Sequence, residues 1–126
     1  MTLEITGLYA AALTGFYLIL TARVITYRRG KRVSLGDGDD EALLRRMRAH
    51  GNFAEYAPLG LFLLGIAELQ GSLGWLLHAM GLLLLVGRLL HGVNFSFALQ
   101  SMLLRTAGMG LTLFALGLGA VLVLPT

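Results

Sequence analysis

Three long runs of this chain carry no charge: Ile5 to Ala22, Leu73 to Gly87, and Thr106 to Thr126. An α-helix crosses a hydrocarbon core about 30 Å thick with about 20 apolar residues, and a chain of 126 residues has too little other material to bury three such runs away from lipid. Composition agrees. Hydrophobic residues make up 56% of the chain and charged residues 13%, where an ordinary soluble domain carries roughly 25% charged. The basic cluster Arg23, Arg28, Arg29, Lys31, Arg32 follows the first run rather than preceding it, so that run reads as a retained helix and not a cleaved signal. A fourth helix begins at the capping acids Asp39 or Asp40 and passes from charged (Arg45, Arg46, Arg48) through polar (Asn52, Glu55) to apolar residues before the Gln70-Gly71-Ser72 turn. The pattern predicts one all-α domain over 1–126, an integral membrane four-helix bundle with helices at about 3–28, 39–69, 73–95 and 99–124.

Charge placement orients it. Every Lys and Arg falls near the first and third connections, whereas the other end holds only Glu4 and Glu68. The positive-inside rule puts those connections in the cytoplasm and both termini outside, and the composition suggests a bacterial inner membrane. Gly7/Ala11/Gly15 and Ala115/Gly119 are spaced to let helices approach closely. The absence of cysteine excludes disulfides, iron–sulfur clusters and a protein thiol nucleophile. His50, His78 and His91 stand too far apart for a metal motif, so no metal site is expected. The basic residues sit at membrane-helix ends, which leaves nucleic-acid binding unsupported.

Arg48, Asn52 and Glu55 stand at i, i+4 and i+7, on one helical face, with Arg45 and Tyr56 on or beside it. Arg88 and His91, at i and i+3, come from the same end of the third helix, and Arg23 and Arg105 from the same end of the first and fourth. Charges at membrane depth face protein or a wet cavity and are paired. One acid, Glu55, expected to be embedded, cannot neutralise several arginines, so an anionic ligand is expected to balance them. The plainer alternative is a network of Glu55 with Arg48 or Arg88 plus arginines reaching the headgroups. It is preferred for Arg28, Arg29, Lys31 and Arg32, a lipid-facing collar, and for Arg45 and Arg46.

The run Arg48-Ala49-His50-Gly51-Asn52-Phe53-Ala54-Glu55-Tyr56-Ala57-Pro58-Leu59 resembles the second-helix signature of the MAPEG family, the membrane-associated proteins in eicosanoid and glutathione metabolism, and Gly87-Arg88-Leu89-Leu90-His91 is similar to its third-helix Gly-Arg segment. The resemblance implies a homotrimer of four-helix protomers with glutathione bound between adjacent subunits near the cytoplasmic side, and a lipophilic small molecule as second substrate reaching it from the membrane lipids. It implies that Arg48, Asn52, Glu55 and Tyr56 contact glutathione, Glu55 through the amino group and Arg48 through a carboxylate. Arg23 resembles a carboxylate-holding arginine of the family. His50 falls where some relatives have a ligand-touching glutamine, and Arg88 matches an arginine as much structural as ligand-binding. Arg105 matches the thiolate-stabilising arginine if the connection before it differs in length. The chain departs from the family where His91 and Phe95 replace third-helix tyrosines. Gly51 stands where the prostaglandin E synthase branch has another arginine, which counts against that activity.

The chemistry fits the ligand. Glutathione carries two carboxylates and one ammonium, suited to several arginines with one glutamate. The implied function is a glutathione-dependent transferase or peroxidase acting on lipophilic electrophiles or hydroperoxides, the thiolate stabilised by Arg105. The alternative is a non-catalytic membrane protein of the same fold binding an anionic lipid or metabolite. A four-helix multidrug exporter ranks below both, because its first helix needs a central carboxylate and Ile5 to Ala22 has none.

Overall fold

A computed structural model describes residues 2–125. The ends of the expected domain, Met1 and Thr126, lie outside the described residues. Four helices follow in order: α1 Glu4–Lys31, α2 Glu41–Leu69, α3 Gly74–Ser96 and α4 Met102–Leu122. Helices α1, α3 and α4 are long and apolar enough to cross a membrane, whereas α2 is not. The polar first half of α2 accounts for the difference, and the packing accommodates it: α2 touches all three other helices. The chain is an integral membrane protein of all-α architecture.

Helix ends follow local chemistry. Helix α1 runs past the expected residue 28 to Lys31, where Arg32 turns left-handed (φ 58°) and the Val33 N–H donates to the Arg28 carbonyl at 3.0 Å, a Schellman closure that satisfies a terminal carbonyl. Asp39 is left-handed (φ 58°), so α2 starts two residues later than expected, with Asp40 as its cap. The Asp40 carboxylate accepts from the Leu43 N–H at 3.1 Å and from the Tyr27 hydroxyl at 2.9 Å. The Leu43 bond first, then the Tyr27 bond, holds this carboxyl below the ordinary aspartate range. Helix α4 starts at Met102 rather than 99 because Ala98 and Gln100 adopt positive φ and Ser101 caps it, accepting from the Leu104 N–H at 3.1 Å.

The helices form a central α2–α3 pair with α1 on one side and α4 on the other; α1 and α4 do not touch within the described residues. The tightest approach is between α3 and α4, where a Cβ on Gly108 would lie 2.8 Å from the His91 nitrogen and one on Gly87 would lie 2.8 Å from the Gly108 carbonyl oxygen. Only glycine admits that approach. Of the two small-residue stripes, Ala115 and Gly119 are buried, Gly119 against Met80 and Leu63. Gly7 and Gly15 meet nothing within a single chain, so that stripe does not pack the bundle internally.

The apolar core is Leu13, Phe16 and Leu20 of α1, Phe53, Ala57 and Leu64 of α2, Met80 and Leu84 of α3 and Ala115 of α4. At the end carrying both chain termini, Leu3 offers α1 no side-chain cap, and Glu68 of α2 supplies one across the bundle. Its two oxygens accept from the Ile5 N–H at 2.9 Å and the Thr6 N–H at 2.8 Å. Nearby, the Tyr9 hydroxyl lies 3.0 Å from His78 Nδ1. Charged acceptors at a helix N-terminus satisfy orphan N–H groups and the helix dipole together. Glu68→Ala is therefore expected to cost about 1–2 kcal/mol, read as a lowered melting temperature in detergent with faster amide exchange confined to the first turn of α1; unchanged exchange there would contradict the cap.

Candidate functional site

The two connections at the opposite end, 32–40 and 97–101, bring the polar layer together. Its centre is Arg88, 1% exposed within a predominantly apolar bundle. Its Nε donates to Thr112 Oγ1 at 3.0 Å, and its Nη1 donates to the Asn52 carbonyl at 3.2 Å and to Asn52 Oδ1. Nη2 reaches Met109 Sδ at 3.3 Å, and the guanidinium carbon lies 5.3 Å from the Tyr56 ring centroid, within cation–π range. Among the described residues, neither ion pair involves Arg88. Arg88 is thus a structural hub joining α2, α3 and α4, with a buried charge not neutralised by a contacting carboxylate.

Beside this hub lie two adjoining lobes whose linings share Arg48, Phe95 and Arg105. The inner lobe, about 210 Å³, is lined by Arg48, Asn52, His91, Phe95, Arg105 and Met109. The outer lobe, about 350 Å³, shares Arg48, Phe95 and Arg105 and adds Arg45, Asn94 and Ser101, with Glu41 as its one acid. Glu41 pairs with Arg45 at 3.4 Å. The Phe95 ring stacks on His91 (centroids 4.6 Å apart, planes 19° apart), and the Arg105 guanidinium lies 5.5 Å from the same ring. Asn94 fixes the mouth: its side chain accepts from the Ser101 N–H at 2.8 Å, and its carbonyl accepts from the Leu99 N–H at 3.0 Å.

The expected site residues divide between two faces. Arg48, Asn52, His91 and Arg105 line the cavity on the α4 side. Tyr56 lies beside Arg88 behind it. Glu55 is exposed rather than embedded in a single chain, and its contact is Arg48, Nη2 to Oε1 at 3.7 Å with both side chains about half exposed. An exposed pair of this length contributes little to stability, which leaves both groups available. Arg23 and His50 lie instead on the α1 side. Arg23 donates from Nε to Ser96 Oγ at 2.6 Å and from Nη2 to the Ser96 carbonyl at 3.0 Å, with its guanidinium 3.6 Å from the Phe97 centroid. His50 Nε2 lies 3.1 Å from Thr21 Oγ1, and its ring stacks on Tyr17 at 4.7 Å.

Asn94, Met109 and Thr112 were not visible as members of this layer from sequence, and Arg45, for which pairing or a reach to the headgroups was the preferred reading, lines the outer lobe. The i+3 spacing of Asn94 from His91 was the available signal. Thr112 and Met109 lay inside an uncharged run that gave no sign of their partner.

The model of the MAPEG family matches residues 6–124. The chain belongs to the MAPEG family. It is 34% identical over 112 residues to the Inner membrane protein YecN of Escherichia coli strain K12, covering 89% of this chain and 84% of the relative, and it matches YecN from a second Escherichia coli strain equally. No solved structure matches.

The hub makes a direct prediction. Arg88→Leu removes every donor to Asn52 Oδ1 and to the Arg88-facing side of Thr112, and is expected to cost roughly 1–3 kcal/mol. Lysine cannot reproduce the forked geometry, so Arg88→Lys should recover less than half of the lost melting temperature. Full stability in both variants would refute the hub.

Proposed function

We propose that the chain is a glutathione-dependent membrane transferase or peroxidase acting on lipophilic electrophiles or hydroperoxides, in a bacterial inner membrane with the polar layer toward the cytoplasm and both termini outside. The observation that carries this reading is the inner lobe: two guanidiniums, Arg48 and Arg105, an amide and an imidazole, with no carboxylate in the lining and the buried Arg88 cation against its Asn52 wall. A lobe of that composition favours a small anion. The second support is family membership, since the family includes glutathione-dependent enzymes.

The division of the residues into two faces supports a site completed by a second copy. Arg23 and His50 face away from the α4 side, and α1 does not reach α4 in one chain. A homotrimer in which the α1 side of one protomer meets the α4 side of its neighbour would bring Arg23 and His50 to Arg48, Asn52, Glu55 and Tyr56. In this reading Arg48 and Arg23 hold the carboxylates and Glu55 accepts from the ammonium. A free thiol titrates near pH 8.5, and each tenfold gain in thiolate needs about 1.4 kcal/mol of preferential stabilisation, which Arg105 supplies. In conjugation the thiolate sulfur bonds to the electrophilic carbon, and the leaving group departs with its electron pair. In peroxide reduction the sulfur attacks one oxygen, the O–O bond breaks, the alkoxide takes a proton, and a second glutathione reduces the sulfenic acid to disulfide and water.

A non-catalytic protein binding an anionic lipid or metabolite is the second reading. Phe95, standing where some members of the family have a tyrosine, favours it, and YecN is named for its location alone.

Calorimetric titration of glutathione into the purified protein separates the two. Binding should occur in the wild type and vanish in the Glu55→Gln, Arg48→Leu double variant. Arg105→Leu should bind within a few-fold of wild type yet turn over a lipophilic thiol-reactive electrophile on the order of a hundredfold more slowly. Absence of binding to the folded wild type would overturn the glutathione reading, and binding without turnover of electrophiles or hydroperoxides would select the second.

A further inference from the structure

His91 presents an unpaired polar group at the heart of the cavity. The residue is 5% exposed, and its Nδ1 is covered without a hydrogen-bond partner. Its ring lines the inner lobe and is clamped by stacking on Phe95. From the other side α4 presses against its backbone at Gly108, where no Cβ fits. A neutral imidazole carries one N–H and one lone pair. Burying an N–H without an acceptor is avoided more strictly than burying an unused lone pair, so the proton belongs on Nε2, the nitrogen left to meet a guest. No carboxylate lines the inner lobe to take that N–H, and Asn52 Oδ1 is already engaged by Arg88.

From this placement, and resting on the glutathione reading above, we infer that His91 donates its Nε2–H to the sulfur of the bound thiolate, as a second donor beside Arg105. The two residues are anchored on one ring, Phe95, so they address the same small volume. The charged groups lining that volume are Arg48 from α2 and Arg105 from α4, with Arg88 of α3 behind the Asn52 wall. The arginines supply charge and the imidazole supplies direction, because a stacked, sealed ring cannot swing away when the sulfur changes from S–H to S⁻. No proton passes to His91 in this role: the thiol proton leaves to solvent through the outer lobe.

The test reads the bound sulfur itself. With saturating glutathione, the midpoint pH at which the ultraviolet thiolate absorbance appears should rise by about one unit, a tenfold loss of ionisation, in His91→Phe, which keeps an aromatic ring and removes the N–H, and return in His91→Gln, which restores a donor. His91→Met provides a second donor-free variant should the phenylalanine protein not fold. Affinity for S-methylglutathione, which has no thiolate, should be the same in wild type and variants. A thiolate signal unchanged in the donor-free variants overturns the inference while leaving the glutathione site standing. So does an equal loss of affinity for S-methylglutathione, which would reduce His91 to packing. A folded wild type that binds no glutathione overturns the site reading and this inference with it.

Discussion

The buried guanidinium of Arg88 is the interaction on which the arrangement of this bundle depends. A charge at this depth is costly unless its donors are met, and the donors of Arg88 are met by Asn52 of α2 and by Thr112 and Met109 of α4. Those bonds fix where the polar face of α2 lies relative to α4 and so set the width of the cavity between them. The glycines at 87 and 108 serve the same end, since a side chain at either would part α3 from α4 and pull Thr112 out of reach. The lobe that results has cationic walls because the arginine behind it is satisfied by neutral acceptors and not by a carboxylate.

The second constraint is topological. With α1 and α4 on opposite sides of the central pair, one chain carries its cationic side chains on two separate sides. Arg23 is braced against Ser96 and Phe97 on one side, while Arg48 and Arg105 border the cavity on the other. On the proposed glutathione reading, groups from both sides would hold the two ends of the tripeptide. In the proposed trimer a neighbouring protomer would supply the second side.

Much of this was legible in the sequence, and the limits have physical causes. The uncharged runs marked α1, α3 and α4 because membrane burial of charge is so unfavourable, and the Arg48, Asn52 and Glu55 spacing marked one face of α2. Helical geometry also bore on His50: at about 100° per residue, position 50 lies nearly opposite position 48, on the face that packs against α1. Asp39 and Asp40 were equivalent as letters, and backbone handedness chose between them. The partners of Arg88 and the cap that Glu68 provides to α1 join residues far apart in the chain, Glu68 and Ile5 at a sequence separation of 63. No local pattern encodes such pairs. Glu55 was expected to be embedded as the one acid of a cationic layer at membrane depth, but in a single chain it is exposed, where a ligand or neighbouring protomer would cover it.

In the proposed trimer each ligand site draws on the α1 side of one copy and the α4 side of another. Complementation between two disabled chains tests it most directly: Arg23→Leu and Arg105→Leu variants, each deficient in glutathione-dependent turnover alone, co-expressed and purified as mixed oligomers through separate tags. The account predicts that mixed oligomers regain a measurable fraction of wild-type turnover, because some sites then take an intact α1 side and an intact α4 side from different chains. Mixed oligomers no more active than the average of the two variants would contradict it and confine each site to one chain.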